Sequence, residues 1–327
     1  IDPWIVAPAI AVADLADLKV LELRTASRLL RDDNIAPNHL AELAAALGTL
    51  EVSSGADRRG RQLLRRSLAD PTENAWAQAE WFSDRVGPLA HNVPDSVQRP
   101  FEALARRFAH DAKWRDATLY ARCWLQDQPF SLEAAGFAST CACEAEDWEA
   151  VSSIIDAGLK AHPNSAGLLN NLAYSRIESA DLEAAAELLL RARQVPAPDE
   201  TRAVLIATEG LLLYRAGKPD VGRARYRLAL EAFSRLKLEE NQARAALMLA
   251  REELILRLPS AEGTWREADA FAMRARTSAV RHLHERILVL RKQLDQGLRR
   301  SYPTGKLAVE TANTLLKDSD PFLLSRS

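Results

Sequence analysis

The chain of 327 residues is 47% hydrophobic and 27% charged, a composition typical of folded globular proteins that excludes wholesale disorder. Its net charge of −2 excludes a global electrostatic attraction to nucleic acids or membranes. Three cysteines are too few for a disulfide scaffold, so a reducing cytoplasmic compartment is expected. No apolar run reaches about 18 residues, so no membrane span is predicted.

Residues 1–86 carry a degenerate repeat with a period of 34 residues, a length typical of stacked helix pairs. Its clearest copy combines the small and apolar residues Leu47, Gly48, Gly60, Leu64 and Ser67. A weaker copy 34 residues earlier uses Ala13, Ala26 and Leu30. A helix is then predicted over Ala75–Asp84, and the glycines and prolines after it predict an irregular junction over residues 87–97 between two arrays.

Residues 98–236 repeat the same period more regularly. Small residues recur at two fixed positions of successive units. They are Ala105, Ala117, Ser139, Ala173 and Ala185. Pro129 and Pro163 end two of the units. A further copy, which contains Gly210 and Gly222, follows an insertion at Val195–Pro198. Because one helix pair cannot bury its apolar face alone, consecutive units are expected to cover one another.

This spacing resembles the tetratricopeptide repeat (TPR) family over about residues 7–236. The resemblance implies an all-α fold, an α-solenoid in which antiparallel helix pairs stack into a right-handed superhelix with a concave groove lined by the first helix of each pair. In that family, small residues at the eighth and twentieth positions of a unit let its two helices approach, and Ala173 and Ala185 match these positions. Arg176 departs from the pattern, because it replaces the usual aromatic residue.

Residues 237–300 are predicted to form helices that cap the array, followed over 301–327 by a turn, a short helix and a tail. A first helix is expected over 239–257, with a break at Pro259 and Gly263. Trp265–Arg299 is expected to form one long helix or two shorter ones. Its apolar seam consists of Val280, Leu283, Ile287, Leu290 and Leu294. A seam of about two heptads is short for a coiled coil, so we expect these helices to pack over the array as a cap. A homodimer seam is the alternative.

Catalytic and metal-binding motifs are missing from the sequence, so no enzyme activity, cofactor or metal is predicted for this chain. Cys141 and Cys143 are two residues apart, as are His282 and His284, and on a helix such pairs point in different directions. The acidic run at Glu144, Glu146, Asp147 and Glu149 is predicted to be a solvated turn. Because the chain begins with Ile1 rather than Met, we expect a preceding domain, and an activity could lie there.

The TPR resemblance also implies which side chains face the groove. The candidate ligand-binding residues are Arg99, Glu102, Arg106, His110, Thr140, Glu144, Asn170, Asn171, Tyr174, Tyr214 and Arg215. Asn171 occupies a position where some TPRs hold a peptide backbone or a terminal carboxylate. A carboxylate clamp is not expected, because Asn170 stands where a lysine would help. The asparagine pair is instead expected to cap or bridge the backbone between helix and loop.

Charge is distributed unevenly along the chain. Residues 132–200 contain twelve acidic and four basic residues, whereas residues 264–306 contain ten basic and four acidic ones. The basic region could bind phosphates, pair with the acidic region in a dimer, or form a solvated helix surface, and the last is favoured.

The sequence therefore predicts a non-catalytic scaffold or sensor module that binds a protein or peptide in a groove. Its many arginines and alanines are typical of GC-rich bacterial genomes, and bacterial regulators and defence proteins often carry such helical arms. Homo-oligomerisation through the C-terminal helices is an open alternative. A nucleic-acid-binding solenoid is the alternative function, although low aromatic content and near-neutral charge disfavour it.

Overall fold

The computed structural model describes residues 2–18, 23–32, 34–89, 97–275, 277–298, 302 and 304–317. Within these ranges the regular secondary structure is entirely helical, which confirms the predicted all-α class. Each helix in them is too short or too polar to cross a bilayer. The chain divides into two compact units, Ile1–Trp124 and Leu125–Ser327.

The first unit contains seven helices among its described residues, and an eighth crosses the division. They are α1 (Pro3–Leu15), α2 (Leu23–Leu29), α3 (Pro37–Ser53), α4 (Asp57–Ser67), α5 (Glu73–Trp81), α6 (Ser83–Val86), α7 (Phe101–His110) and α8 (Trp114–Asp127). The helix predicted over Ala75–Asp84 corresponds to α5 and the start of α6, which Phe82 separates. Helices α3 and α4 approach closely at Gly60, where a Cβ would lie 2.4 Å from Val52 Cγ2.

The predicted junction at 87–97 does not coincide with the division between the units. Residues 90–96 of it lie outside the described residues, so the junction itself stays a prediction. The division lies instead inside α8, between Trp124 and Leu125, and therefore within the range predicted as one regular array. Because α8 contains neither glycine nor proline, no local breaker marks that position in the sequence.

The second unit is built from consecutive helix pairs joined by short turns. Its helices are α9 (Leu132–Glu144), α10 (Trp148–Ala161), α11 (Ala166–Glu178), α12 (Leu182–Arg193), α13 (Asp199–Arg215), α14 (Pro219–Arg235), α15 (Glu239–Ile255), α16 (Ala261–Arg274), α17 (Ser278–Asp295) and α18 (Val309–Lys317). Side chains of Ser131, Asp147 and Ser165 cap the first three by accepting from backbone N–H groups. Helices α9, α11, α13 and α15 contact one another in that order.

Small residues set the distance between the two helices of a pair, as the spacing predicts. A Cβ on Gly222 would lie 2.7 Å from Tyr214 Cδ2 and 2.8 Å from the carbonyl oxygen of Gly210. Ala173 and Ala185, at the matching positions of α11 and α12, are fully buried. The backbones of paired helices can therefore approach only because these side chains are absent or short.

The C-terminal segment packs on the array within the same chain. The predicted break is confirmed at Pro259, between α15 and α16, whereas Gly263 lies within α16. The described residues after it, up to 299, form two helices, α16 and α17. The seam residues Val280, Leu283, Ile287 and Leu290 are buried, and α17 packs on α15. These residues therefore pack within the chain, and homo-oligomerisation through the C-terminal helices stays a prediction. Helix α18 packs on α12, and Arg193 and Arg225 donate to the carbonyl oxygen of Leu315.

Candidate functional site

The second unit contains a cavity of about 380 Å³, within the size range of pockets that hold small ligands. Six helices line it: α9, α11, α13, α14, α15 and α17. Five of the candidate residues lie on its wall, namely Thr140, Glu144, Asn170, Asn171 and Tyr174. Thr140 and Glu144 are four residues apart on α9, and Asn170 and Tyr174 are four apart on α11. Each pair therefore shares one helix face.

The two asparagines of α11 have different environments. Asn171 Nδ2 donates to Ser139 Oγ at 2.9 Å and lies 3.5 Å from Thr140 Oγ1, both on α9. Asn171 therefore links α11 to α9 through side chains. The prediction that it bridges to the backbone between helix and loop is wrong for these contacts. Asn170 is only 6% exposed, and its Oδ1 atom has no hydrogen-bond partner among the described residues. A buried acceptor without a partner costs about 1–3 kcal/mol.

An ion-pair cluster, formed by Glu144, Glu146, Arg244 and Arg286, lies along one side of the cavity. Arg244 donates to Glu144 Oε1 at 3.0 Å, and Arg286 donates to Glu144 Oε2 and Glu146 Oε1, each at 2.9 Å. The prediction of a solvated acidic turn is thus wrong for Glu144, which is 17% exposed. Asp147 caps α10 instead. The acidic and basic regions meet here within one chain, so these contacts need no dimer.

Apolar side chains also line the cavity. Helices α13 to α15 contribute the apolar residues Val204, Ala207, Leu211, Phe233, Ala245 and Met248. A cavity lined by both polar and apolar side chains can bind a ligand that carries both kinds of group.

Two titratable side chains of the cavity wall, Cys143 and Tyr174, have raised pKa values. Burial and, to a smaller extent, the neighbouring Glu144 raise the pKa of Cys143 to about 12. Burial and Glu178 likewise raise the pKa of Tyr174. Both groups are neutral near pH 7, and a protonated thiol is a poor nucleophile. Among the described residues, no three His, Cys, Asp or Glu side chains are grouped to hold a metal ion.

Four candidate residues belong to the first unit and are not among the residues that line this cavity. Arg106 pairs with Glu102 at 2.8 Å, and its guanidinium lies over the rings of Trp81 and Trp124. His110 Nδ1 lies 2.9 Å from Asp84. Arg99 is exposed ahead of α7, and its backbone N–H donates to Glu73. These four residues and the five cavity residues belong to different units.

The prediction that Tyr214 and Arg215 face a groove is wrong, because both are buried at the end of α13. Tyr214 donates to Glu253 Oε1 at 3.0 Å, and Arg215 donates to Glu252 Oε2 at 2.8 Å. Helix α15 supplies both carboxylates and covers these positions. Arg215 borders a second, smaller cavity of about 190 Å³, which also borders Tyr302.

Sequence reasoning missed the cavity residues that come from the C-terminal helices. These are Glu240, Asn241, Arg244, Ala245, Met248, Arg251, Leu283 and Arg286. Of these residues, only Arg286 could have been anticipated from the sequence, through the surplus of basic residues over 264–306.

No protein-family model and no curated protein significantly matches the sequence.

Proposed function

We propose that this chain is a non-catalytic peptide-binding module, a TPR-like scaffold or sensor that recognises its ligand in the 380 Å³ cavity of the second unit. The observation that carries the proposal is the lining of this cavity, which combines the polar side chains of Thr140 and Asn171 with apolar side chains such as Met248.

The arrangement of the helices supports the TPR-like part of the proposal. Cavity residues come mainly from α9, α11, α13 and α15, the first helices of successive pairs, as a TPR groove would require. The closely packed Gly210 and Gly222 stand at matching positions of their unit. The proposal places the chain in the cytoplasm, as an arm of a larger bacterial regulatory or defence protein.

Nucleic-acid binding through the C-terminal arginines is less well supported. Arg286 is bonded to Glu144 and Glu146, and Arg291 is bonded to Glu262. A phosphate would have to displace these carboxylates. Arg276, Arg299 and Arg300 lie outside the described residues.

The proposal can be tested with a random 12-residue peptide library displayed on phage, followed by calorimetry on the selected peptides. The variant Ala207→Trp fills the cavity, and Ala270→Trp places the same side chain on an exposed position of α16. We expect wild type and Ala270→Trp to bind alike and Ala207→Trp to bind roughly tenfold or more weakly. Circular dichroism checks that both variants fold. The proposal is overturned if no peptide is enriched from the library, or if Ala207→Trp binds the selected peptides as tightly as wild type.

A further inference from the structure

Three helices that begin in the first unit carry arginines at two matching positions, and the function proposed above uses none of them. Each pair stands two residues before and five residues after a small buried residue, which is Ala26, Gly60 or Ala117. The pair of α4 follows that of α2 at the 34-residue period. The arginines are Arg24 and Arg31 in and just after α2, Arg58 and Arg65 in α4, and Arg115 and Arg122 in α8.

The two arginines of each pair are directed away from the core. Seven residues make almost two turns of an α-helix, so both arginines share one helix face, opposite to the small buried residue. All six side chains are exposed. None of their guanidinium groups has a hydrogen-bond or ion-pair partner in the part of the chain that the structure describes. Their charges are therefore available to an external partner.

Helices α2 and α4 bring two of these pairs together on one surface. Arg66 of α4 donates to the carbonyl oxygen of Leu30 at the end of α2, and Leu63 packs against the apolar cluster that contains Leu30. Along each helix, seven residues span about 10 Å, and packed helices lie about 8–10 Å apart. The outward surface of the two helices, called here the arginine face, consists of Arg24, Arg28, Arg31, Arg58, Gln62 and Arg65.

The sequence concentrates positive charge on these helices. Residues 24–31 and 58–66 together contain eight arginines and no acidic residue. Asp57, at the start of α4, is already paired with an arginine of α6. In α10 of the second unit, Glu149 and Asp156 occupy the positions that match the pair of α8 one period earlier. The arginine pattern is therefore a property of the first unit, and the net charge of −2 conceals it.

The chemistry of the arginine face fits phosphate groups. A planar guanidinium can donate two parallel N–H groups to one phosphate, which makes arginine well suited to this anion. The arginines and the glutamine of this face offer no apolar group for insertion into a bilayer and no aromatic ring for stacking on an unpaired base. A duplex, whose phosphates lie outside and whose bases are paired, therefore fits this face better than a membrane or a single strand.

We propose that the arginine face of α2 and α4 binds the phosphate backbone of a double-stranded nucleic acid. Contacts to phosphates carry no base information, so this binding is independent of sequence. The face belongs to the first unit, whereas the peptide cavity belongs to the second. The proposal therefore goes beyond the proposed function, and either can fail without the other.

Fluorescence anisotropy of a labelled, mixed-sequence DNA duplex of about 20 base pairs, titrated with the full chain, tests the proposal. The logarithm of the association constant should fall with the logarithm of the NaCl concentration, with a slope of about −0.9 for each phosphate contacted. The double variant Arg58→Ala/Arg65→Ala removes two contacts. Its slope should be shallower by about 1.8, and its affinity at about 50 mM NaCl should be roughly tenfold or more lower.

The matched control Arg266→Ala/Arg281→Ala removes the same charge from exposed positions of α16 and α17 and should bind the duplex like wild type. Circular dichroism checks that both double variants fold, which we expect because the replaced side chains are exposed. Equal losses in the two double variants would show that net charge, and not the arginine face, determines binding, and would overturn the proposal.

Two other polyanions separate a duplex from the competing partners. A single strand of the same sequence and vesicles of phosphatidylcholine and phosphatidylserine in equal parts should both bind more weakly than the duplex. The proposal is overturned if the duplex does not bind at about 50 mM NaCl, or if the single strand or the vesicles bind more tightly than the duplex.

Discussion

Arg286 on α17 donates to Glu144 on α9 at 2.9 Å, although the two residues are 142 positions apart. Glu144 also accepts from Arg244 on α15 through its other oxygen. One carboxylate therefore connects three helices that line the cavity, and it joins the acidic and basic regions of the chain. Because α17 packs mainly on α15 and α16, this ion pair adds a connection from α17 to α9.

Removing Arg286, the more exposed partner of this ion pair, should cost little stability. Arg286 is 42% exposed, so Arg286→Ala should lower the free energy of unfolding by less than about 1 kcal/mol. The loss should shrink in 1 M NaCl, since salt screens exposed charges. Urea unfolding at low and high salt measures both values. The exposed Arg281 on the same helix gives the control Arg281→Ala, and equal losses for the two variants would contradict a specific link.

The buried Arg215 should matter far more. Arg215→Met leaves the fully buried Glu252 without its closest guanidinium, so we expect a loss of about 3–5 kcal/mol. Arg227→Met, which breaks the half-exposed pair with Glu267, should cost less than about 1 kcal/mol. Chemical denaturation of both variants compares them directly. Similar losses would show that Arg215 is not the centre of a buried network.

The close approach of α13 and α14 can be tested with a single methyl group. Gly222→Ala places a Cβ 2.7 Å from Tyr214 Cδ2 and should destabilise the protein by about 1–3 kcal/mol. Gly136→Ala in α9 meets nothing within 4 Å and should instead stabilise it by roughly 0.5–1 kcal/mol, because alanine favours the helix. Thermal unfolding of the two variants should show shifts of opposite sign. Shifts of the same sign would mean that helix propensity alone sets both effects.

Glu253 should make stability depend on pH. Burial alone would raise its pKa, but hydrogen bonds from Thr264, Arg223 and Tyr214 outweigh burial and hold the pKa below its ordinary value of 4.5. The folded chain thus favours the ionised form, and this stabilisation is present above pH 4.5 and lost as the pH falls through the lowered pKa.

Glu253→Gln should therefore lose about 1–3 kcal/mol at pH 7, and the difference from wild type should narrow as the pH falls below 4. Urea unfolding across this range measures it. Glu262→Gln, which alters a largely exposed carboxylate, is the control and should show a small difference throughout. A difference between Glu253→Gln and wild type that grows towards low pH would have the wrong sign for a lowered pKa.

The sequence by itself determined the all-α class and most of the helix pairs. Turn residues and a 34-residue period act locally, and the TPR resemblance that rests on them implies a close approach of two adjacent helices at positions such as Gly210 and Gly222. The same resemblance implies that Thr140, Glu144, Asn170 and Tyr174 face one groove, and these residues do line one cavity.

Only the tertiary structure decided which other residues line that cavity and which partners they contact. It buried Tyr214 and Arg215 under α15, and it brought Arg286 to Glu144 across 142 positions. It also left the Oδ1 atom of Asn170 without a hydrogen-bond partner among the described residues, while Asn171 donates to Ser139. The reason is physical: periodicity fixes the direction of a side chain on its own helix, whereas its partners depend on the folding back of distant helices. No local pattern contains that information.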